Sequence, residues 1–156
     1  MSPRIRRVLC TTLLSVMILV IVLALTGVYT VRRSFPQIQG TIVLEGPDGP
    51  VEVTLDSMGV PHIYGSSEYD LFMAQGYVHA QDRFWQMDFW RHLGSGRLSE
   101  MFGESQLDAD RFLRTLGWAR VVQEEIKQVD PRTLASLQAY ADGVNAYLAT
   151  HQGSAL

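Results

Sequence analysis

The sequence predicts an α+β protein: an N-terminal transmembrane or signal helix, short antiparallel strands, then several helices. Three observations carry this. Residues 8–31 hold no charged side chain and are mostly apolar. From Gly40 the hydrophobic pattern has a period of two, which is the period of a strand. From Ser67 the pattern becomes helical and meets no proline until Pro131.

The uncharged run of about 24 residues would reach roughly 36 Å as a helix, enough to cross a hydrocarbon core of about 30 Å. Arg4, Arg6 and Arg7 precede it, and the positive-inside rule then places the N-terminus in the cytoplasm. The expectation is an uncleaved anchor over residues 1–33, a linker over 34–39 and a body over 40–156. That body lies in the periplasm or outside the cell. A cleaved signal peptide, giving a secreted protein, is the rival reading, but Leu25-Thr26-Gly27 is a poor small-x-small cleavage site.

Thr41 to Glu45 is a candidate strand. Gly46-Pro47-Asp48-Gly49 follows as a turn, because proline fixes φ and glycine accepts a positive φ. Val51, Val53 and Leu55 alternate with Glu52, Thr54 and Asp56, the pattern of a half-buried strand. Asp56 to Gly59 turns the chain into a third strand, Val60 to Tyr64, kept short or at an edge by Pro61. A small three-stranded meander is expected, with His62 as a hydrogen-bonded core residue.

Ser67 offers an N-cap with Asp70 three positions on, a capping-box spacing. The helix it starts is apolar on more than one side, through Leu71, Phe72, Met73, Tyr77, Val78, Phe84, Trp85, Met87, Phe89 and Trp90. Such a helix is expected to be covered on more than one side. Gln75, His79, Asp82, Arg83 and Gln86 form its polar stripe. The stripe reads as a structural network or a wet edge, with Asp82 pairing Arg83 or another arginine. His79 and Asp82 are its only members worth weighing for catalysis. Gly94 and Gly96 break the helix. Leu98, Met101 and Phe102 make a short amphipathic turn capped by Gly103. Asp108 or Asp110 can start the next helix, with Phe112, Leu116, Ala119, Val122 and Ile126 as its apolar stripe. Asp130 and Pro131 are the N-cap and first position of the last helix. Leu134, Leu137, Ala141, Val144 and Leu148 are its expected core face, and Gly153 is its stop signal. Gly143, inside that helix, weakens it by about 1 kcal/mol relative to alanine, so another element is expected to approach closely there.

Charge and motifs exclude several functions. The formal charge is −3. Five arginines flank the apolar run, which leaves eight of the 13 basic residues against all 16 acidic ones in the body, a net of −8. An acidic body cannot replace the counterions of nucleic-acid phosphates. The single cysteine, Cys10, lies in the apolar run, so the body forms no internal disulfide. There is no Walker A loop, no G-x-G-x-x-G, no G-x-S-x-G elbow, and no His or Cys pair at zinc spacing.

Four stretches carry a resemblance. GVPHIYG at 59–65, DLFMAQGYVHAQDRFWQMDFWR at 70–91, SGRLSEMFG at 95–103 and YADGVNAY at 140–147 resemble the penicillin acylase (penicillin amidase) family of N-terminal-nucleophile hydrolases. The resemblance runs from about Gly40 to about Leu148 and corresponds to the start of the family's α chain. It implies a partial segment of an αββα fold and an amidohydrolase precursor that cleaves itself. A linear amide would be its substrate, such as a β-lactam side chain or an acyl-homoserine lactone. The implied partners are the rest of the α chain and the β chain. It also implies that this chain carries no catalytic, cofactor-binding or metal residue: the nucleophile is expected downstream of Leu156, and calcium, bound in some members, would belong to the full-length protein. On this reading the chain is an incomplete front portion and is inactive alone. A membrane-anchored, non-catalytic interaction module is the alternative.

Overall fold

The structure, a computed structural model, describes residues 3–33 and 35–151. Gly153, expected to stop the last helix, lies outside the described residues. The chain divides near Phe35 and Pro36 into two compact units. The first is helix α1, Pro3–Arg33, with no buried residue. It is long and apolar enough to cross a membrane, with a mean hydropathy of 2.9 over its apolar window. Its threonine and serine hydroxyls bond to carbonyls three or four residues back, as Thr26 does to Val22 at 2.8 Å. This satisfies their polar groups within the helix.

The second unit begins with a two-stranded hairpin, β1 (Glu52–Leu55) and β2 (Pro61–Tyr64). The register pairs Glu52 with Tyr64, Val53 with Ile63, Thr54 with His62 and Leu55 with Pro61. Pro61 begins β2, where its missing N–H costs least. The connection is held by Asp56, whose Oδ1 accepts from the Met58 and Val60 N–H groups at 2.8 and 2.9 Å. Gly59, at φ 79°, closes it.

Three expectations fail here. Thr41–Glu45 forms no strand. The meander is therefore a hairpin, and Leu44 instead packs irregularly against the helical core. All of β1 is exposed, Val53 and Leu55 included, because nothing among the described residues covers either face. His62 is exposed too, with its Nε2 3.6 Å from Asp56 Oδ2. Residue alternation identified the strand but could not report whether a second layer lies over it.

Helix α2 (Glu68–Ser95) follows. Ser67 caps it, accepting from the Asp70 N–H at 3.0 Å. Arg83, at φ −151° and ψ 34°, breaks its regular backbone. Gly96 ends it in the left-handed conformation, at φ 62°. Gly94 lies within the helix and does not break it. Helix α3 (Ser99–Phe102) ends at Gly103, as expected. A 3-10 turn at Glu104–Gln106 leads into α4 (Leu107–Leu116).

The single helix expected after Gly103 is two. Gly117, at φ 78°, separates α4 from α5 (Trp118–Glu125). A 3-10 turn at Ile126–Gln128 then precedes α6 (Pro131–Thr150). Asp130 caps α6, its Oδ1 accepting from Arg132 and Thr133 N–H at 3.1 and 3.0 Å, with Pro131 at the first position.

The core lies between α2 and α6. Tyr77, Ala80 and Tyr147 form its buried centre, with Leu44, Phe84, Val144, Ala146 and Leu148 against it. The α6 face that meets α2 is Ala139, Gly143 and Tyr147. Of the expected stripe, Val144 and Leu148 flank this face, whereas Leu134 and Leu137 are exposed. Small residues won over large ones because they let two backbones approach.

Candidate functional site

The α2–α6 contact takes in His79 of the polar stripe, and Gln75 lines the groove beside it. A Cβ on Gly76 would fall on the Tyr140 carbonyl, and one on Gly143 would fall on the Met73 carbonyl. Ala80 and Ala139, one turn along from each glycine, are almost fully buried. Close approach brings the His79 Nδ1 to 3.0 Å from the Tyr140 hydroxyl, with their rings edge to face at 5.8 Å. Burial pushes the Tyr140 phenol above its ordinary value, against an opposing pull from Arg83, so the hydroxyl stays neutral. Beside it, the Tyr69 hydroxyl donates to Asp142 Oδ2 at 3.1 Å. Burial, then that bond, raises Tyr69.

Toward the start of both helices the contact opens into a groove of about 620 Å³. Phe72, Leu137 and Tyr140 give it an apolar floor, and Glu68, Arg132 and Ser136 form a polar end. Arg132 Nε bonds Glu68 Oε2 at 3.0 Å, and Ser136 Oγ bonds Glu68 Oε1 at 3.3 Å. The Ser136 hydroxyl faces a carboxylate and no imidazole base, which does not make a nucleophile–base pair. The exposed Arg132–Glu68 pair adds little stability.

The rest of the expected polar stripe does not converge. Asp82, Arg83 and Gln86 are exposed, and Asp82 and Arg83 form no ion pair with each other among the described residues. His79 is thus a structural partner of Tyr140, while Asp82 is a solvated edge residue.

Two carboxylates that sequence reasoning assigned to helix starts do other work. Asp70 is fully buried, and its Oδ1 accepts the Asp48 N–H at 2.8 Å, which fastens the Gly46–Gly49 turn to α2. Its Oδ2 has no hydrogen-bond partner among the described residues. Asp110 starts no helix. It lies inside α4, 4% exposed, and accepts from the Leu98 and Ser99 N–H groups at 2.7 and 2.8 Å. It therefore caps α3 from a distance. Burial raises its carboxyl, but the bonds from Ser99 and Leu98, with Arg114 nearby, outweigh that and hold it below the ordinary value. Arg114 Nε also donates to the Gly96 carbonyl at 2.8 Å, which joins the end of α2 to α4.

His92, buried at the end of α2, was missed. Its Nδ1 donates to the Asp88 carbonyl at 2.8 Å, and its Nε2 lies 3.8 Å from Glu100. A histidine four residues after an aspartate on a helix is the signal that points to it. Among the described residues no group of three or more His, Cys, Asp or Glu is arranged to hold a metal.

A profile of the penicillin amidase family matches residues 50–156. Penicillin acylase 2 proenzyme of Pseudomonas sp. (strain SE83) is 37% identical over 119 residues, which cover 76% of this chain and 15% of that protein. Acyl-homoserine lactone acylase QuiP of Pseudomonas fluorescens (strain Pf0-1) is 43% identical over 129 residues, covering 81% of this chain and 16% of that protein. The solved structure of a thermostable penicillin G acylase from Alcaligenes faecalis superposes with a TM-score of 0.57 at 34% identity. It covers 63% of this chain and 52% of that one. The chain thus spans about a sixth of the length of these curated relatives. Three of the quoted motifs lie on α2, α3 and α6, which build the α2–α6 contact and its neighbour, and the fourth lies on β2, in a fold similar to that acylase. The chain belongs to the penicillin amidase family.

Proposed function

We propose that this chain is the front part of an acylase precursor that hydrolyses a linear amide. The observation that carries the reading is 37–43% identity to relatives named as a penicillin acylase and an acyl-homoserine lactone acylase. On this reading the α2–α6 pair and its buttress are scaffold in an N-terminal-nucleophile αββα fold. The nucleophile is the first residue of a β chain released by self-cleavage downstream of Leu156. Its own α-amino group takes the proton as the hydroxyl or thiol attacks the amide carbonyl, and preorganised donors hold the oxyanion. The substrate is the acyl amide of a β-lactam, an acyl-homoserine lactone or a related compound. Any calcium belongs to parts of the protein beyond these residues. Helix α1 holds the body on the outer side of the cytoplasmic membrane.

Expressed together with the polypeptide encoded after Leu156, the protein should release free amine from penicillin G or from an N-acyl-homoserine lactone. Alanine at the new β-chain N-terminus should remove that turnover. A folded full-length protein that releases amine from neither substrate class overturns the reading.

A further inference from the structure

His92 lies in the last turn of α2 and is only 7% exposed. Its carbonyl accepts the Arg97 N–H at 2.9 Å, which closes the helix end. Nδ1 of its ring lies 2.8 Å from the Asp88 carbonyl oxygen. A carbonyl only accepts, so Nδ1 carries a proton in either charge state. The nitrogen that gains or loses a proton is therefore Nε2. It faces Glu100 Oε2 of α3 at 3.8 Å. Neutral, the ring turns a lone pair toward a carboxylate oxygen, and the two repel. Protonated, it turns an N–H toward the same oxygen, and the two attract.

Charged groups approach from each neighbouring element. On α2, Asp88 Oδ1 lies 3.4 Å from Nδ1 and is bonded by Arg91 at 2.7 Å. Beside Glu100, Arg97 Nε donates to its Oε1 at 2.7 Å. From α4, Asp110 accepts the Leu98 and Ser99 N–H groups, and Arg114 donates to the Gly96 carbonyl. These carboxylates and guanidiniums balance in number. Each guanidinium is already bonded to an oxygen, whereas two carboxylates lie beside the imidazole itself, at 3.4 and 3.8 Å. The C-terminal end of a helix also favours a cation. The Glu100 carboxyl is held below its ordinary value, by the Arg97 bond first, with His92 among the charges that lower it.

We propose that His92 is a proton-operated clasp between α2 and α3: protonated at Nε2 it holds Glu100, and neutral it lets go. Histidine is the side chain that changes charge between about pH 5 and pH 8, so the join between these helices tightens in acid and loosens in base. The clasp stands on local contacts and is independent of the acylase reading.

The test follows amide hydrogen exchange by NMR in the full chain, Met1–Leu156, in detergent. The Phe102 and Gly103 N–H groups bond to the Leu98 and Ser99 carbonyls and so report on α3. Their protection, corrected for the intrinsic effect of pH, should be about fivefold higher at about pH 5.5 than at about pH 8, the factor expected of one modest interaction. His92→Gln should abolish that difference and leave the helical circular dichroism unchanged. His92→Arg, a fixed cation, should keep the higher protection at both pH values. Glu100→Gln, at an exposed position, should abolish the difference as well, and it decides the matter where His92→Arg does not fold. Nitrogen-15 spectra of labelled histidine should show neutral His92 with its proton on Nδ1. Equal protection at the two pH values overturns the proposal, as does a difference that survives in His92→Gln or Glu100→Gln. So does a neutral ring that carries its proton on Nε2.

Discussion

Gly76 and Gly143 face each other's helices across a single crossing, each lying where the partner backbone presents a carbonyl: Tyr140 for Gly76 and Met73 for Gly143. Neither position has room for a methyl group. Gly143→Ala should therefore destabilise the body although alanine favours a helix by about 1 kcal/mol. Overpacking typically costs about 1–3 kcal/mol, and here the obstacle is backbone, which yields less than a side chain. Thermal unfolding followed at 222 nm checks it. An unchanged or higher midpoint for Gly143→Ala would show that the helices are not in contact there.

Met73, whose carbonyl meets Gly143 and whose thioether lies against Gly46, is 2% exposed. Met73→Ala should cost about 2–5 kcal/mol, measured by urea unfolding. A loss under about 0.5 kcal/mol, the range of surface substitutions, would mean that the site is solvated.

His79 and Asp82 lie three residues apart on α2 and should behave differently. Replacing His79 by alanine removes the 3.0 Å bond to Tyr140 and should lower the yield of folded protein, by an amount of order 1 kcal/mol in stability. Asp82→Ala, at an exposed position, should change stability by less than about 0.5 kcal/mol. In a mature acylase built on this chain, kcat per active site should survive both substitutions. A loss of ~10³-fold in kcat with normal folding would instead place the residue in the catalytic machinery.

Asp110 sets an acid limit. Its carboxyl is held below the ordinary value of 3.8 in the folded protein. A depressed carboxyl contributes stability that is fully present above its unfolded value and disappears as pH falls through the folded one. The wild-type melting temperature should drop faster below about pH 3.8 than that of Asp110→Asn, which should start lower and vary less. Parallel curves between pH 7 and pH 2 would contradict this.

Helix α1 should keep the full chain in the membrane fraction through an alkaline carbonate wash. A soluble product with a new N-terminus near Tyr29 would mean that the segment is cleaved.

What the sequence revealed depended on whether the information was local. Ser67, Gly96, Gly103, Asp130 and Pro131 announce their helix ends because caps are chemistry of a few adjacent residues. The first half of the α6 stripe was misread, because Leu134 and Leu137 are exposed while Val144 and Leu148 do pack against the core. The better signal was paired small residues four apart on two helices, Gly76 with Ala80 and Ala139 with Gly143. The roles of Asp70 and Asp110 were hidden because their partners, Asp48 and Leu98, are 22 and 12 residues away. The burial of β1 and α5 was overestimated because periodicity shows that a face is apolar and says nothing of what covers it. Family likeness was legible in four long motifs.

His79 and Tyr140 stand 61 residues apart, and this separation has a temporal consequence. A ribosome adds about 5–20 residues per second, so α2 is made roughly 3–12 seconds before the segment that shields it. During that interval Met73, Tyr77 and Ala80 have no matching surface from α6. The nascent body depends on its surroundings to hold it unaggregated until the second glycine arrives. Slowing elongation between Phe102 and Asp130 should lengthen that wait and increase proteolysis of the newly made chain, without altering the finished molecule.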